Sequence, residues 1–471
     1  MKYVSTRGAA PVLEFEDVLL AGLARDGGLY LPESWPQFGA DEIRALARLD
    51  YAELAARIAR PFVGGALSDD ELDRLFAEAY AGFDHAAVAP LKQLDREIWF
   101  LELFHGPTLA FKDVALQVLG RLFDLVLARR GERVTIVGAT SGDTGAAAIE
   151  ACRDRAQIEI FVLHPEGRVS EVQRRQMTTV TADNVHNIAI KGTFDDCQDL
   201  VKAMFNDTAF RDDMNLSAVN SINWARVMAQ IAYYFAAAAA LGAPERAVSF
   251  AVPTGNFGNI FAGYAARAMG LPIERLYVGS NSNDILARTI ATGAMTIAEV
   301  QPTLSPAMDI QVSSNFERLL FELYGRDGGA VAGLLEGFRS TGRSKLEAGA
   351  LEALRGVFAG HRLDDRETVA EMARIYQETG EMIDPHSAIG IATARALASG
   401  SEAPVIALGT AHPAKFPEAV EQACGLRPAL PPRLADLFER DERCLVLPND
   451  LAQVQEAVRG QIGPGRGRLA S

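Results

Sequence analysis

Residues 135–149 read TIVGATSGDTGAAAI, and the order of events in that stretch decides the fold. A β-branched apolar run leads into a glycine-rich turn, and the turn opens a helix of small residues. Strand, turn and helix in that order form half of a parallel α/β unit. The same grammar recurs outward along the chain. Apolar runs stand at RVTIVG from Arg133, IEIFVLH from Ile158, VHNIAI from Val185, AVSFAVP from Ala247, RLYVGS from Arg275 and PVIALGT from Pro404. Most lack polar alternation, as strands covered on both faces do. They fall into two groups around an Ala-rich stretch from Ile231 to Ala243. That stretch is shorter than the roughly 20 residues a bilayer requires, so it reads as a buried helix. The expected fold is α/β, with mostly parallel sheets in two lobes over residues 94–430 and a cleft between them. The smaller lobe is expected to span about 113–240.

The flanks read differently. Residues 1–93 are mainly helical after a short extended start: DEIRALARLDYAELAARIARPF from Asp41 and SDDELDRLFAEAYAGF from Ser68 place apolar residues three and four apart. Ser68 and Glu71 fit a capping box. Residues 315–380 are helical and charged, an insertion or a covering layer. Residues 431–471 form a C-terminal segment ending in a mobile basic tail, GPGRGRLAS from Gly463.

With 471 residues, 49% hydrophobic and 23% charged, the chain can bury a large core and is not a disordered or fibrous protein. A net charge of −15 disfavours nucleic acid and anionic membranes as partners. Any anionic ligand must therefore be gripped by local donors such as glycine-rich loops and helix N-termini. Cys152, Cys197, Cys424 and Cys444 are widely spaced, which argues against a disulfide framework or a metal site and for a reducing cytoplasm. The opening MKYVSTRGAAPVLEF carries no apolar core of a signal peptide.

Four segments carry chemistry. In LFHGPTLAFKD, residues 103–113, Lys112 follows a Gly-Pro turn and precedes a helix marked by Leu116, Leu119, Phe123 and Val126. The positive end of the helix dipole and apolar walls both disfavour an ammonium there, and an uncharged lysine suits Schiff-base chemistry with an aldehyde. A solvated lysine beside Asp113 is the plainer alternative. Ser141, Asp143 and Thr144 stand at the glycine-rich turn, placed either to face a carboxylate or phosphate or simply to cap a helix. VPTGNFGNIFAGY, residues 252–264, repeats the design without a cationic side chain. There is no G-x-x-x-x-G-K-[ST] sequence, so a Walker-type nucleotide site is unsupported. In ALGTAHPAKFPEAV, residues 407–420, Thr410 ends a buried strand, the usual ligand edge of a parallel sheet. His412 and Lys415 follow it, either serving substrate or shaping the turn.

These segments stand in the order found in the threonine synthases, a family of fold type II pyridoxal-phosphate enzymes. The sequence resembles that family over nearly its whole length, through YVSTRG, DGGLYLP, HGPTLAFKD, GATSGDTG, KGTFDDCQD, NSINWARV, PTGNFGN, SSNFERLL, DPHSAIG and TAHPAKFP. SGDTG is the form of the fungal and enteric-type branch. The resemblance implies that Lys112 carries pyridoxal 5'-phosphate as a Schiff base. It implies that Gly255, Asn256, Phe257, Gly258 and Asn259 cradle the cofactor phosphate. Thr410 would contact the pyridine nitrogen, and Asp143 would stand where the wider fold type II family has an Asn facing the phenolic oxygen. Ser141 and Thr144 would hold the substrate carboxylate. The implied reaction converts O-phosphohomoserine and water to threonine and phosphate. Arg226, Lys191 and Lys415 are candidates for the substrate phosphate, as cations suit a dianion. The competing readings are a phospholyase yielding 2-oxobutyrate and a non-catalytic cofactor-binding protein. The expected assembly is a monomer or homodimer acting on a small molecule.

Overall fold

The computed structural model describes residues 1–217 and 221–462, so the basic tail read from Gly463 lies outside the described residues. The chain divides into two compact units. One comprises residues 1–111 and 221–428, the other residues 112–220 and 429–471.

The first unit is built on a six-stranded sheet. Its strand order is Phe358–Arg362, Ile273–Ser280, Val248–Pro253, Val405–Gly409, Ile98–Glu102 and Leu91–Gln93. The first five run parallel, and Leu91–Gln93 closes the edge antiparallel to Ile98–Glu102. Every residue of Val248–Pro253 and of Val405–Gly409 is buried, which is why these central strands read as unbroken apolar runs. Each buried Val, Ile or Phe there contributes roughly 1.5–3 kcal/mol of transfer free energy. The helices Trp224–Ala240 and Pro385–Leu397 belong to this unit. A small sheet, ordered Leu13–Glu14, Lys2–Ser5 and Tyr30–Pro32, lies among the N-terminal helices.

The second unit holds a five-stranded, fully parallel sheet. Its order is Leu445–Pro448, Val185–Lys191, Ile158–Pro165, Val134–Ala139 and Leu216–Ser217. Helices Lys112–Arg130 and Asp143–Cys152 pack closely in this unit, because a side chain at Gly120 would overlap the Ala151 carbonyl.

Several borders differ from those read in the sequence. The Ala-rich helix, expected within the smaller lobe at 113–240, is a core element of the first unit. It is buried nearly all round, so composition alone carried no sign of its partner. The segment 431–471, expected to stand apart, adds the strand Leu445–Pro448 and the helix Leu451–Ile462 to the second unit. Residues 315–380, read as a covering layer, also supply the edge strand Phe358–Arg362. Its sequence FAGHR is short and half polar, as edges are, and escaped a search for apolar runs.

Candidate active site

Three neighbouring parallel strands of the first unit deliver the predicted groups to one sheet edge. The strand Val248–Pro253 runs into the Gly255–Asn259 loop, Val405–Gly409 into Thr410, and Ile98–Glu102 into the segment that ends at Phe111. That segment is laced to the Thr410 turn: Leu103 donates its amide to the Gly409 carbonyl and Phe111 to the Thr410 carbonyl. The C-terminal edge of parallel strands is where open α/β sheets bind ligands.

The 255–259 loop presents bare backbone. Among the described residues, the amides of Gly255 through Asn259 find no acceptor. Phe257 adopts φ +63°, a left-handed turn unusual for a bulky residue, and its ring is buried against Phe316 and Phe358. Burial of that ring offsets the backbone strain, which is of order 1–3 kcal/mol. Gly255 must be glycine, since a Cβ would lie 2.8 Å from the Ala307 carbonyl oxygen. The carbonyls are held away from the amides by two residues of SSNFERLL, residues 313–320, whose spacing gives no sign of this role. Ser313 Oγ donates to the Gly255 carbonyl at 2.7 Å, and Asn315 donates to the Asn256 carbonyl from both its backbone N (3.1 Å) and Nδ2 (3.0 Å). Arg318 fixes which way Asn315 faces by donating to its Oδ1. Asn259 Oδ1 accepts from Tyr233 at 2.5 Å and Tyr234 at 3.0 Å, and its Nδ2 has no partner among the described residues.

Thr410 is buried, and its Oγ1 likewise has no hydrogen-bond partner among the described residues. A buried hydroxyl without a partner costs about 1–3 kcal/mol, which a ligand atom would recover. Lys415 is fully buried, with Nζ donating to the Thr108 carbonyl at 2.6 Å, and His412 Nδ1 accepts the Ala414 amide. These bonds tie the Thr410 turn to itself and to the segment before Lys112. Arg226 is different. It lies buried in the first turn of its helix, Nε and Nη1 lack acceptors among the described residues, and burial pushes its pKa down to about 10. Arg318 is also buried and its pKa is pushed down to about 9, yet it donates to the Tyr30 and Ile222 carbonyls as well as to Asn315.

In the second unit, Lys112 is the first residue of its helix and is 7% exposed, which excludes a solvated lysine. Its Nζ lies 3.3 Å from Asp143 Oδ2. Asp143 opens the next helix after Gly142, whose φ of +145° only glycine adopts readily. Gln173 Nε2 donates to Asp143 Oδ1 at 2.8 Å, and Ser170 donates to Gln173 Oε1, which orients the amide. Gln173 lies some thirty residues further along in sequence and carries no local signal. Ser141 is exposed, Thr144 is half-buried, and Lys191 is exposed at the end of its strand.

Consecutive open amides suit a phosphate, the Thr410 hydroxyl suits a heteroaromatic nitrogen, and a buried lysine suits an aldehyde. These donors fit pyridoxal phosphate, and a family model described as pyridoxal-phosphate dependent enzyme matches residues 84–337. The chain is thus a fold type II pyridoxal-phosphate enzyme. Models of the threonine synthase N terminus and C-terminal region match residues 2–80 and 387–458. A threonine synthase of Pseudomonas aeruginosa is 59% identical, over 97% of this chain and 98% of that protein. The crystal structure of a PLP-bound threonine synthase from Brucella melitensis superposes with a TM-score of 0.96 at 58% identity, covering 98% of this chain and 99% of that one. The yeast threonine synthase structure gives 0.94 at 38% identity, with 98% of each chain covered. The chain belongs to the threonine synthase family.

Proposed function

We propose that the enzyme converts O-phosphohomoserine and water to threonine and phosphate, with Lys112 as its catalytic residue. The observation that carries this reading is the open amide run at 255–259 on a strand beside the one that ends in the unpartnered Thr410 hydroxyl. When bound, pyridoxal phosphate supplies a carbonyl that an amine can join and an electron-poor ring that accepts electron density.

The protein's residues do the rest. The amides of Gly255, Asn256, Phe257, Gly258 and Asn259 grip the cofactor phosphate. The Thr410 hydroxyl, without a partner among the described residues, would bond the ring nitrogen without protonating it as a carboxylic acid would. Lys112 would remove the proton at the substrate Cα and serve the later proton transfers, a succession that suits one buried, movable amine. Asp143, steadied by Gln173, would hold the Lys112 ammonium between transfers. Ser141 and Thr144 take the substrate carboxylate. Of the three cations considered for the substrate phosphate, Arg226 has the strongest support, through two guanidinium nitrogens without acceptors among the described residues. Lys415 is engaged with Thr108, and Lys191 rests on its exposure alone. We place the enzyme in the cytoplasm, in keeping with four unbridged cysteines, of which Cys444 is exposed. Among the described residues, no helix is long and apolar enough to cross a membrane.

The test is a product assay on the full chain with pyridoxal phosphate and O-phosphohomoserine. Threonine and phosphate should form in equal amounts. Release of 2-oxobutyrate and ammonia as the main products would overturn the proposal.

A further inference from the structure

Thr410 is secured by a buried relay that the proposed chemistry does not itself use. Its amide donates to Ser387 Oγ at 3.0 Å, and Ser387 Oγ bonds Asp384 Oδ2. A carboxylate only accepts, so the hydroxyl proton points to Asp384 and a lone pair to Thr410. On the other side, His386 Nδ1 lies 2.9 Å from Asp384 Oδ1. His386 Nε2 accepts the Ala307 amide at 3.4 Å. An amide can only donate, so the ring proton sits on Nδ1 and points at Asp384. Two directed chains therefore converge on one carboxylate. One begins at the strand end bearing Thr410. The other begins at Ala307, whose carbonyl leaves no room for a side chain at Gly255.

Asp384 also caps the helix Pro385–Leu397, accepting the amides of His386 at 3.0 Å and Ser387 at 3.3 Å. An N-cap needs only such amide bonds. The two side-chain bonds exceed that need, and both relay to backbone outside the helix. Asp384 is completely inaccessible to solvent, a placement that requires this many donors.

We propose that Asp384 is a positioning residue for the cofactor, fixing Thr410 through Ser387 and the backing of the phosphate loop through His386. The proposal rests on the cofactor assignment above, and the experiment separates the two. Full-length wild type, Asp384→Asn and Ser387→Ala are stripped of cofactor and titrated with pyridoxal 5'-phosphate, and each is melted with and without it. Ser387→Ala should bind about tenfold more weakly, and Asp384→Asn about ten- to a hundredfold more weakly. The double variant should be no worse than Asp384→Asn, because the two residues share one chain. The cofactor-induced rise in melting temperature should shrink in parallel. A merely structural role would lower both melting temperatures equally, leaving their gap and the affinity as in wild type, and that result overturns the proposal. If Asp384→Asn does not fold, Ser387→Ala alone decides by the same two readings. Wild type that takes up no pyridoxal phosphate would instead sink the cofactor assignment.

Discussion

Two glycine-rich turns, 140–145 and 254–259, follow a strand and open a helix in the same way, yet the protein treats their donors oppositely. In the first, Thr140 Oγ1 accepts the amides of Gly142 at 3.0 Å and Gly145 at 2.9 Å, so the turn consumes two of its own donors. What it offers instead are side chains, with Asp143 set 3.3 Å from Lys112. In the second, Ser313 and Asn315 draw the carbonyls away and leave the amides open. The lesson is that a glycine-rich turn becomes an anion site only when the surrounding structure declines to satisfy it. One region is equipped to act through side chains, the other to hold through backbone.

That contrast can be broken experimentally. The largest effect is expected at Lys112→Ala, which removes the amine proposed to carry protons and the covalent link. Activity should fall by more than about a thousandfold, and the absorbance band that borohydride bleaches should vanish. A retained band would assign the link to another amine. Asn315→Ala strikes the holding region by releasing the Asn256 carbonyl. Cofactor affinity, read by titration, should weaken about ten- to a hundredfold, while kcat at saturating cofactor stays within a few-fold. A wild-type affinity would show that the amides open without help.

Thr140→Val strips the acceptor from two amides of the acting region. Chemical denaturation should show a loss of about 1–3 kcal/mol with little change in cofactor affinity. A large affinity loss would make the two turns alike after all. The smallest expected effect lies at Glu150, on the helix after the first turn, where burial pushes the carboxyl from 4.5 up to about 7 despite Arg153 nearby. The folded value exceeds the unfolded one, so the folded state favours the protonated form. The stability gained is complete below the unfolded value and is lost as pH rises through the folded one. Unfolding free energy should therefore decline by about 1–2 kcal/mol between about pH 5 and pH 8, and Glu150→Gln should abolish that decline.

Much of this was legible in residue order. Six apolar runs became strands, the 255–259 loop and Thr410 stand where parallel strands end, and Lys112 opens a helix. The strand Ile98–Glu102, reading IWFLE, was not among the runs singled out, although it brings the chain to Lys112. Ser313, Asn315 and Asp384 lay within quoted matches, but nothing in their spacing said what they bond. Gln173 had no signal at all. Lys415 and Arg226 looked equivalent as cations, and both are buried; hydrogen bonding separates them, since one donates to a carbonyl and the other keeps two guanidinium nitrogens without acceptors among the described residues.

The sequence by itself determined the α/β class, the strand-turn-helix units and the chemical types available at each turn, because period and glycine placement are local properties. Only the tertiary structure decided which donors stay unsatisfied, which arginine is structural, and which distant carboxylate steadies Thr410. Hydrogen-bond satisfaction depends on partners tens of residues away or more, as with Ser313 and Gly255 or Asn315 and Asn256, and local sequence holds no record of them.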